Sequence, residues 1–373
     1  MPRSQPFEMR LAAPLVQLGL IASLCSATAA PLLAAEPGRW TLDLTLDGTR
    51  VQGSPLSWSN REVNLLARDG RLWTFAPEAA KDFRKTSDAF EGYSASEMRS
   101  RLSQELGRNF EVSGTGHYLV AHPRGQGGYW SQRFEDQYRS FVHYFSLRGF
   151  KIAEPEFPLV AIVFRNQADF LRYSQAQGEG VGGNVLGYYS PVSNRIAVFD
   201  QGAGAASAAD WQENAATIVH EATHQTAFNT GIHTRFTEQP RWLIEGLGTM
   251  FEARGVWDSS RYRARQDRFN RGRFEQFKRY LPRRPEGSLA EFISSDRPFL
   301  ADINAGYAQA WALSFFLVET RPRQYCDYLA RVARRSEFQS YSSPERLADF
   351  TTAFGADIRL LEAHFLQFMA ELK

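Results

Sequence analysis

The sequence predicts an α+β protein, on three observations. Residues 40–75 alternate apolar and polar side chains between turn dipeptides, Asp47-Gly48 and Asp69-Gly70. From residue 116 strand-like and helix-like periods alternate, and after about residue 211 the apolar spacing is helical almost throughout. Strands first, a β/α alternation next and helices last is the order of an α+β chain. Composition agrees: of 373 residues 43% are hydrophobic, and 28 Phe, 14 Tyr and 8 Trp supply a core that a disordered chain lacks. Lys plus Arg number 43 against 41 Asp plus Glu, a net charge of +2, so the clustered basic excess of a nucleic-acid binder is missing.

In chain order, the first segment reads as a targeting signal. Arg3 and Arg10 precede a largely apolar run, Leu11 to Leu24, and Ala27-Thr28-Ala29 supplies a small-x-small cleavage site. This is the layout of a secretory signal peptide over 1–29, which predicts a secreted or periplasmic protein. The apolar run is shorter than the roughly 20 residues of a membrane helix, so no stable membrane span is expected after cleavage. Cys25 is not read as a lipid-attachment site, because the bulky Leu24 precedes it. Cys326 is then the only mature cysteine; no internal disulfide is expected, and its apolar helical setting predicts a buried, inert thiol.

Residues 36–95 read as a small β-rich lead-in of hairpins, with 77–95 as a polar, irregular linker. Ser96 to Leu106 reads as a helix closed by Gly107, His117 to Ala121 as a strand, and Gln132 to Leu147 as a helix ending at Gly149. Phe157 to Phe164 is a continuous apolar strand and Gln167 to Gln177 a helix. The glycines at 178, 180, 182 and 183 have no Lys-Ser/Thr after them, so they form a loop rather than a phosphate cradle. Val185 to Tyr189 and Arg195 to Phe199 form a hairpin, and Gly202 to Ala209 lead into a long helix. Asp210 and Glu213 make a capping box at its start, and Asn229-Thr230-Gly231 ends it. The expected organisation is a main domain over 96–320 with helices of 321–373 packed on it.

The chemistry lies in that helix, in His220-Glu221-Ala222-Thr223-His224. Residues four apart share a helix face about 6 Å apart along the axis, so the two imidazoles can converge on one Zn²⁺. Glu221 is set aside from ligation and can act as general base toward a water that the metal activates. A catalytic zinc needs a third protein ligand and an open position. Glu245 is the candidate, 21 residues after His224 in Pro240-Arg-Trp-Leu-Ile-Glu-Gly246, where Pro240 suits a helix start. A carboxylate among Leu243, Ile244 and Leu247 is costly unless it is paired or bound to a metal.

His-Glu-x-x-His-Gln followed by Trp-Leu-x-Glu-Gly resembles the gluzincin group of zinc metallopeptidases, which includes thermolysin and the aminopeptidase N-like enzymes. The nearest resemblance is to a largely uncharacterised family of secreted bacterial metallopeptidases. It implies a zincin-like sheet layer beside the helix, one Zn²⁺ held by His220, His224 and Glu245, and Glu221 as the base. It also implies that Glu252, seven residues after Glu245, steadies a ligand histidine. Tyr307, about sixty residues after Glu245, stands where the aminopeptidase-like enzymes carry an oxyanion-stabilising Tyr; His233 competes for that role. The resemblance further places an edge strand for an extended peptide at Gly187-Tyr188-Tyr189. The Gly-x-Met-Glu-Asn segment that anchors a substrate amino terminus in aminopeptidases is absent.

The expected activity is therefore zinc-dependent hydrolysis of peptide bonds in a peptide or protein substrate, with no nucleic-acid partner. A metal-binding scaffold without catalysis and a cell-envelope protein-binding module are the alternatives. The sequence gives no signal for the oligomeric state.

Overall fold

The computed structural model describes residues 39–201 and 208–372, with side chains omitted over 208–214. Residues 1–29, read as a signal peptide, with Cys25, and Asp210 and Glu213, read as a capping box, lie outside the described residues and side chains. Arg39 to Lys373 form one compact unit.

Five strands build the first sheet: β1 (Thr41–Leu46), β2 (Thr49–Trp58), β3 (Val63–Ala67), β4 (Leu72–Phe75) and β5 (Ala80–Ser87), in the order β4-β3-β2-β1-β5. Every pairing is antiparallel. The β1–β2 turn is Asp47-Gly48, with φ of 48° and 78°, the primed geometry whose twist suits a hairpin. Leu42, Leu44, Val51, Val63 and Leu65 fill this sheet's own core. β5 lies inside the stretch expected to be a linker. Lys81 to Ser87 are exposed, so that strand has no apolar period to announce it; pairing with β1 holds it in place.

The main body follows as α1 (Ala95–Leu106), β6 (Phe110–Gly114), β7 (Tyr118–Pro123), α2 (Tyr129–Ser146), β8 (Leu159–Phe164), α3 (Gln167–Ala176), β9 (Gly187–Ser190), β10 (Arg195–Phe199) and α4 (Ala208–Asn229). The second sheet has the order β6-β7-β8-β10-β9. Its inner pairings, β7 with β8 and β8 with β10, are parallel, and both outer strands are antiparallel. Both faces are covered, as parallel strands require. Val120, Ala161, Val163, Ile196 and Val198 meet Phe134, Tyr138, Ile218 and Ala222 of α2 and α4. Their alternates Leu119, Ala121, Val160, Ile162 and Ala197 meet Met98, Leu102 and Phe170 of α1 and α3. β6 has no expected counterpart; its half-buried residues give no clean period.

The rest is helical: α5 (Arg241–Phe251), α6 (Arg254–Trp257), α7 (Arg271–Tyr280), α8 (Leu289–Ser294), α9 (Arg297–Ala301), α10 (Ile303–Thr320), α11 (Pro322–Ala333), α12 (Ser343–Phe354) and α13 (Ile358–Glu371). The chain is thus α+β. α10 is buried along nearly its whole length, with Trp311 and Phe316 in the largest core. α5 lies against it at Gly246, where a Cβ would fall 2.1 Å from Ser314 Oγ and 2.7 Å from the Ala310 carbonyl oxygen. That glycine lets α5 approach α10 closely. Cys326 is a buried free thiol, and burial raises its pKa. Among the described residues no helix is long and apolar enough to cross a membrane.

Candidate metal centre

His220 and His224 stand one turn apart on α4, near its middle, and α5 crosses to face them. The Pro240 carbonyl starts the turn that carries α5, and Trp242, Leu243, Leu247, Met250 and Phe251 bury its apolar side. The remaining side presents Glu245 to the two imidazoles. His220 Nε2 and His224 Nε2 are 2.9 Å apart, and each is 3.4 Å from Glu245 Oε2. That oxygen is buried and accepts no hydrogen bond of normal geometry from the described residues. An ionised carboxylate left in that state is expensive, so the trio could hold a metal ion.

The electrostatics of the trio are those of a cation site. Burial opposes charge on His220, but the carboxylates of Glu245 and Glu252, with Glu221 nearby, outweigh it and raise its pKa to about 10. Glu245 is buried too, yet the two histidines hold its pKa well below the usual carboxylate range.

Glu252 occupies the far nitrogen of His220: His220 Nδ1 lies 2.9 Å from Glu252 Oε1. The carboxylate is pinned in turn. Asn270, the N-cap of α7, donates from Nδ2 to Glu252 Oε2 at 2.7 Å, and Arg273 Nη2 donates to Oε1 at 3.3 Å. Such a chain fixes the ring's orientation and tautomer. Asn270 and Arg273 were not evident in the sequence, because only the tertiary fold brings them to Glu252. Gly248 was also missed. A Cβ on it would fall 2.8 Å from His220 Cε1 and 2.9 Å from His224 Cε1, so the facing helix needs a bare backbone there. The available signal was a second interior helix glycine two residues after Gly246, a cost of roughly 1 kcal/mol relative to Ala that marks close approach.

Glu221 stays off the trio. Its Oε2 accepts the Tyr189 backbone N–H at 2.7 Å, which ties α4 to β9. Burial raises its pKa; His220 and His224 oppose that shift, and Glu245 adds to it. β9 is an outer strand of its sheet. Gly187 lies close to α4, since a Cβ there would meet Thr217 Cγ2 at 3.0 Å. The Tyr189 ring is buried, with its hydroxyl donating to Asn194 Oδ1 at 2.9 Å, while Tyr188 turns to the opposite face beside Phe170.

The Tyr307 ring centroid is 6.2 Å from that of His220, with Phe299 at 5.9 Å and the Arg273 guanidinium 5.1 Å over the ring. Burial and the Glu245 carboxylate push its phenol pKa well above the ordinary value. His233 is placed differently. It is 1% exposed beside Phe228, neither ring nitrogen has a hydrogen-bond partner among the described residues, and burial with the charge of His224 lowers its pKa to about 3. It is not part of the trio.

Residues 214–339 match the model of a family described as "protein of unknown function", DUF1570, a span that holds His220, Glu221, His224, Glu245, Glu252 and Tyr307. Comparison with curated proteins gives no match.

Proposed function

We infer that this chain is a zinc-dependent peptidase of gluzincin type, delivered to the periplasm or the outside by its N-terminal segment. The observation that carries the reading is the combination of three converging ligand atoms with a fourth group, Glu221, half-buried beside them but kept off them. Ligands bonded at about 2.0–2.2 Å in a tetrahedron lie roughly 3.3 Å from one another. The two 3.4 Å separations match that spacing, and the 2.9 Å one needs only a small spread of the imidazoles. Two neutral imidazoles and a carboxylate form a donor set that suits Zn²⁺. Three protein ligands with a position left open are the catalytic pattern, whereas a structural zinc is closed by four and needs no base.

A Zn²⁺ held there supplies a Lewis acid that polarises a carbonyl and makes water more acidic. The chain's own groups do the rest. Glu221 takes the proton of the attacking water and gives it to the departing amine. The Tyr189 N–H fixes one of its oxygens, so the other is free to face the reacting atoms. Because the Tyr189 N–H points away from β10, strand alternation puts the Gly187 N–H and C=O on the same open side, where an extended peptide can pair. The Tyr307 phenol, beside Glu245 and Arg241, is the donor offered to the oxyanion, and Glu252 with Asn270 and Arg273 keeps the His220 ring in place.

The reading predicts about one Zn²⁺ per chain in the purified mature protein. His224→Ala removes one of three ligands and should lose stoichiometric metal; equal content in both proteins refutes the site. Gly248→Ala tests the same centre without touching a ligand. Overpacking of this kind costs typically about 1–3 kcal/mol, so zinc affinity in a chelator-competition titration should fall about 5- to 150-fold. Unchanged affinity would mean that α5 shifts freely and does not define the centre.

A further inference from the structure

Arg241 opens α5, one turn before Glu245 and on the same face. It is firmly set. Its backbone N–H donates to Asp296 Oδ1 at 3.1 Å, and Asp296 is held by Arg346 Nη1 at 3.0 Å. Its guanidinium rests on the Phe299 ring, 4.8 Å from the centroid, and its side chain is 33% exposed. Nε comes to 3.7 Å from Glu245 Oε1, the oxygen not shared with the histidines. That is an ion-pair distance and too long for a hydrogen bond. Among the described residues no carboxylate, amide or carbonyl accepts a hydrogen bond from this guanidinium; the Tyr307 side chain lies beside it. Arg273, the other guanidinium near Tyr307, is already committed to Glu252.

A partly exposed guanidinium beside the Tyr307 hydroxyl, whose fork makes no hydrogen bond to a carboxylate among the described residues, matches one ligand best, a carboxylate bound through both oxygens. A lone oxyanion would use a single donor, and Tyr307 is beside His220 for that. Its nearest charge partner, Glu245, is turned to the histidines, so Arg241 has a charge to share. We propose that Arg241 is the receptor for a substrate carboxylate, and that the peptides cleaved carry this carboxylate on a residue adjoining the scissile bond. The proposal rests on the peptidase reading. Adjacency follows from reach: one residue advances a chain by about 3.8 Å, comparable with the separation of the guanidinium from the ligand carboxylate. The carboxylate has two possible sources, a free C-terminus or an Asp or Glu side chain.

The test uses zinc-loaded protein and a set of peptides identical except at one point: free C-terminal acid, C-terminal amide, and the amide with Asp or Glu on either side of the scissile bond. A hydrogen-bonded charge pair of this kind gives a preference of about 10- to 150-fold in kcat/KM for one carboxylate-bearing peptide over the neutral amide. Preference for the free acid identifies the C-terminus as the source; preference for the Asp or Glu amide identifies a side chain. In Arg241→Gln that ratio should fall to near one, and in Arg241→Lys to an intermediate value, with zinc content and melting temperature checked on both. Binding gives a readout independent of turnover. Calorimetry of an acetylated dipeptide acid and its amide on zinc-loaded Glu221→Gln should show the same preference. If no peptide is cleaved yet the acid binds more tightly in an Arg241-dependent way, the peptidase reading fails and the carboxylate site stands. Equal handling of acidic and neutral peptides by the unsubstituted protein, in cleavage and in binding, overturns the proposal.

Discussion

Glu221→Gln should keep zinc and lose hydrolysis by about 10²- to 10⁴-fold in kcat, the range that a positioned general base supplies. The amide matches the carboxylate in size and can still accept the Tyr189 N–H through its carbonyl oxygen, so the link between α4 and β9 survives. What disappears is the capacity to take a proton. Burial raises the carboxyl's pKa, which moves a weak base toward the strength that catalysis near neutrality needs, while the histidines on the same helix keep the shift in check. The trio of ligand atoms does not include Glu221, so metal content should be unchanged. Activity near that of the unsubstituted protein on any cleaved peptide would remove Glu221 from the mechanism. Loss of zinc together with activity would instead assign it to the metal site.

How much of this was legible in the sequence depends on whether a signal is local. His220, Glu221 and His224 could be placed together because helix periodicity alone fixes their common face. Glu245 was found through a cost, a carboxylate set among apolar residues, and its position against the imidazoles follows from a close crossing of α5 over α4. Gly248, Asn270 and Arg241 act only through that crossing and its neighbours. In sequence they look like a weak helix residue, a cap and a charged first turn, and only the tertiary arrangement turns them toward the centre. The same limit applied to the fold. β8 and β10 carry apolar runs that announce them, whereas β5 has an exposed, charged sequence that becomes a strand because β1 offers an unpaired edge. His233, an open choice with Tyr307 from sequence spacing, is enclosed beside Phe228 with no hydrogen-bond partner of normal geometry among the described residues, and burial lowers its pKa.

Tyr307→Phe is expected to lower kcat by about 10²- to 10³-fold with little change in KM, the cost seen when one oxyanion donor is removed from a protease. The substitution deletes one oxygen and keeps the ring. Packing against Phe299, and the Arg273 guanidinium over the ring, should therefore persist, and α10 should melt with the rest of the protein as before. The phenol is held in its neutral form, because burial and the Glu245 carboxylate both oppose ionisation, so it keeps the proton it must donate across the working pH range. A neutral donor gives little to a ground-state carbonyl and more as charge develops, which places its effect on kcat rather than KM. Zinc content and thermal melting of both proteins separate this from collapse of the site. If both are intact and kcat falls less than about threefold, the phenol does not meet the oxyanion at the strength argued here. The Arg241 ratio test then isolates the remaining cation: a preference for acidic peptides that survives in Tyr307→Phe and disappears in Arg241→Gln would show that recognition of the carboxylate and stabilisation of the transition state are carried by different side chains.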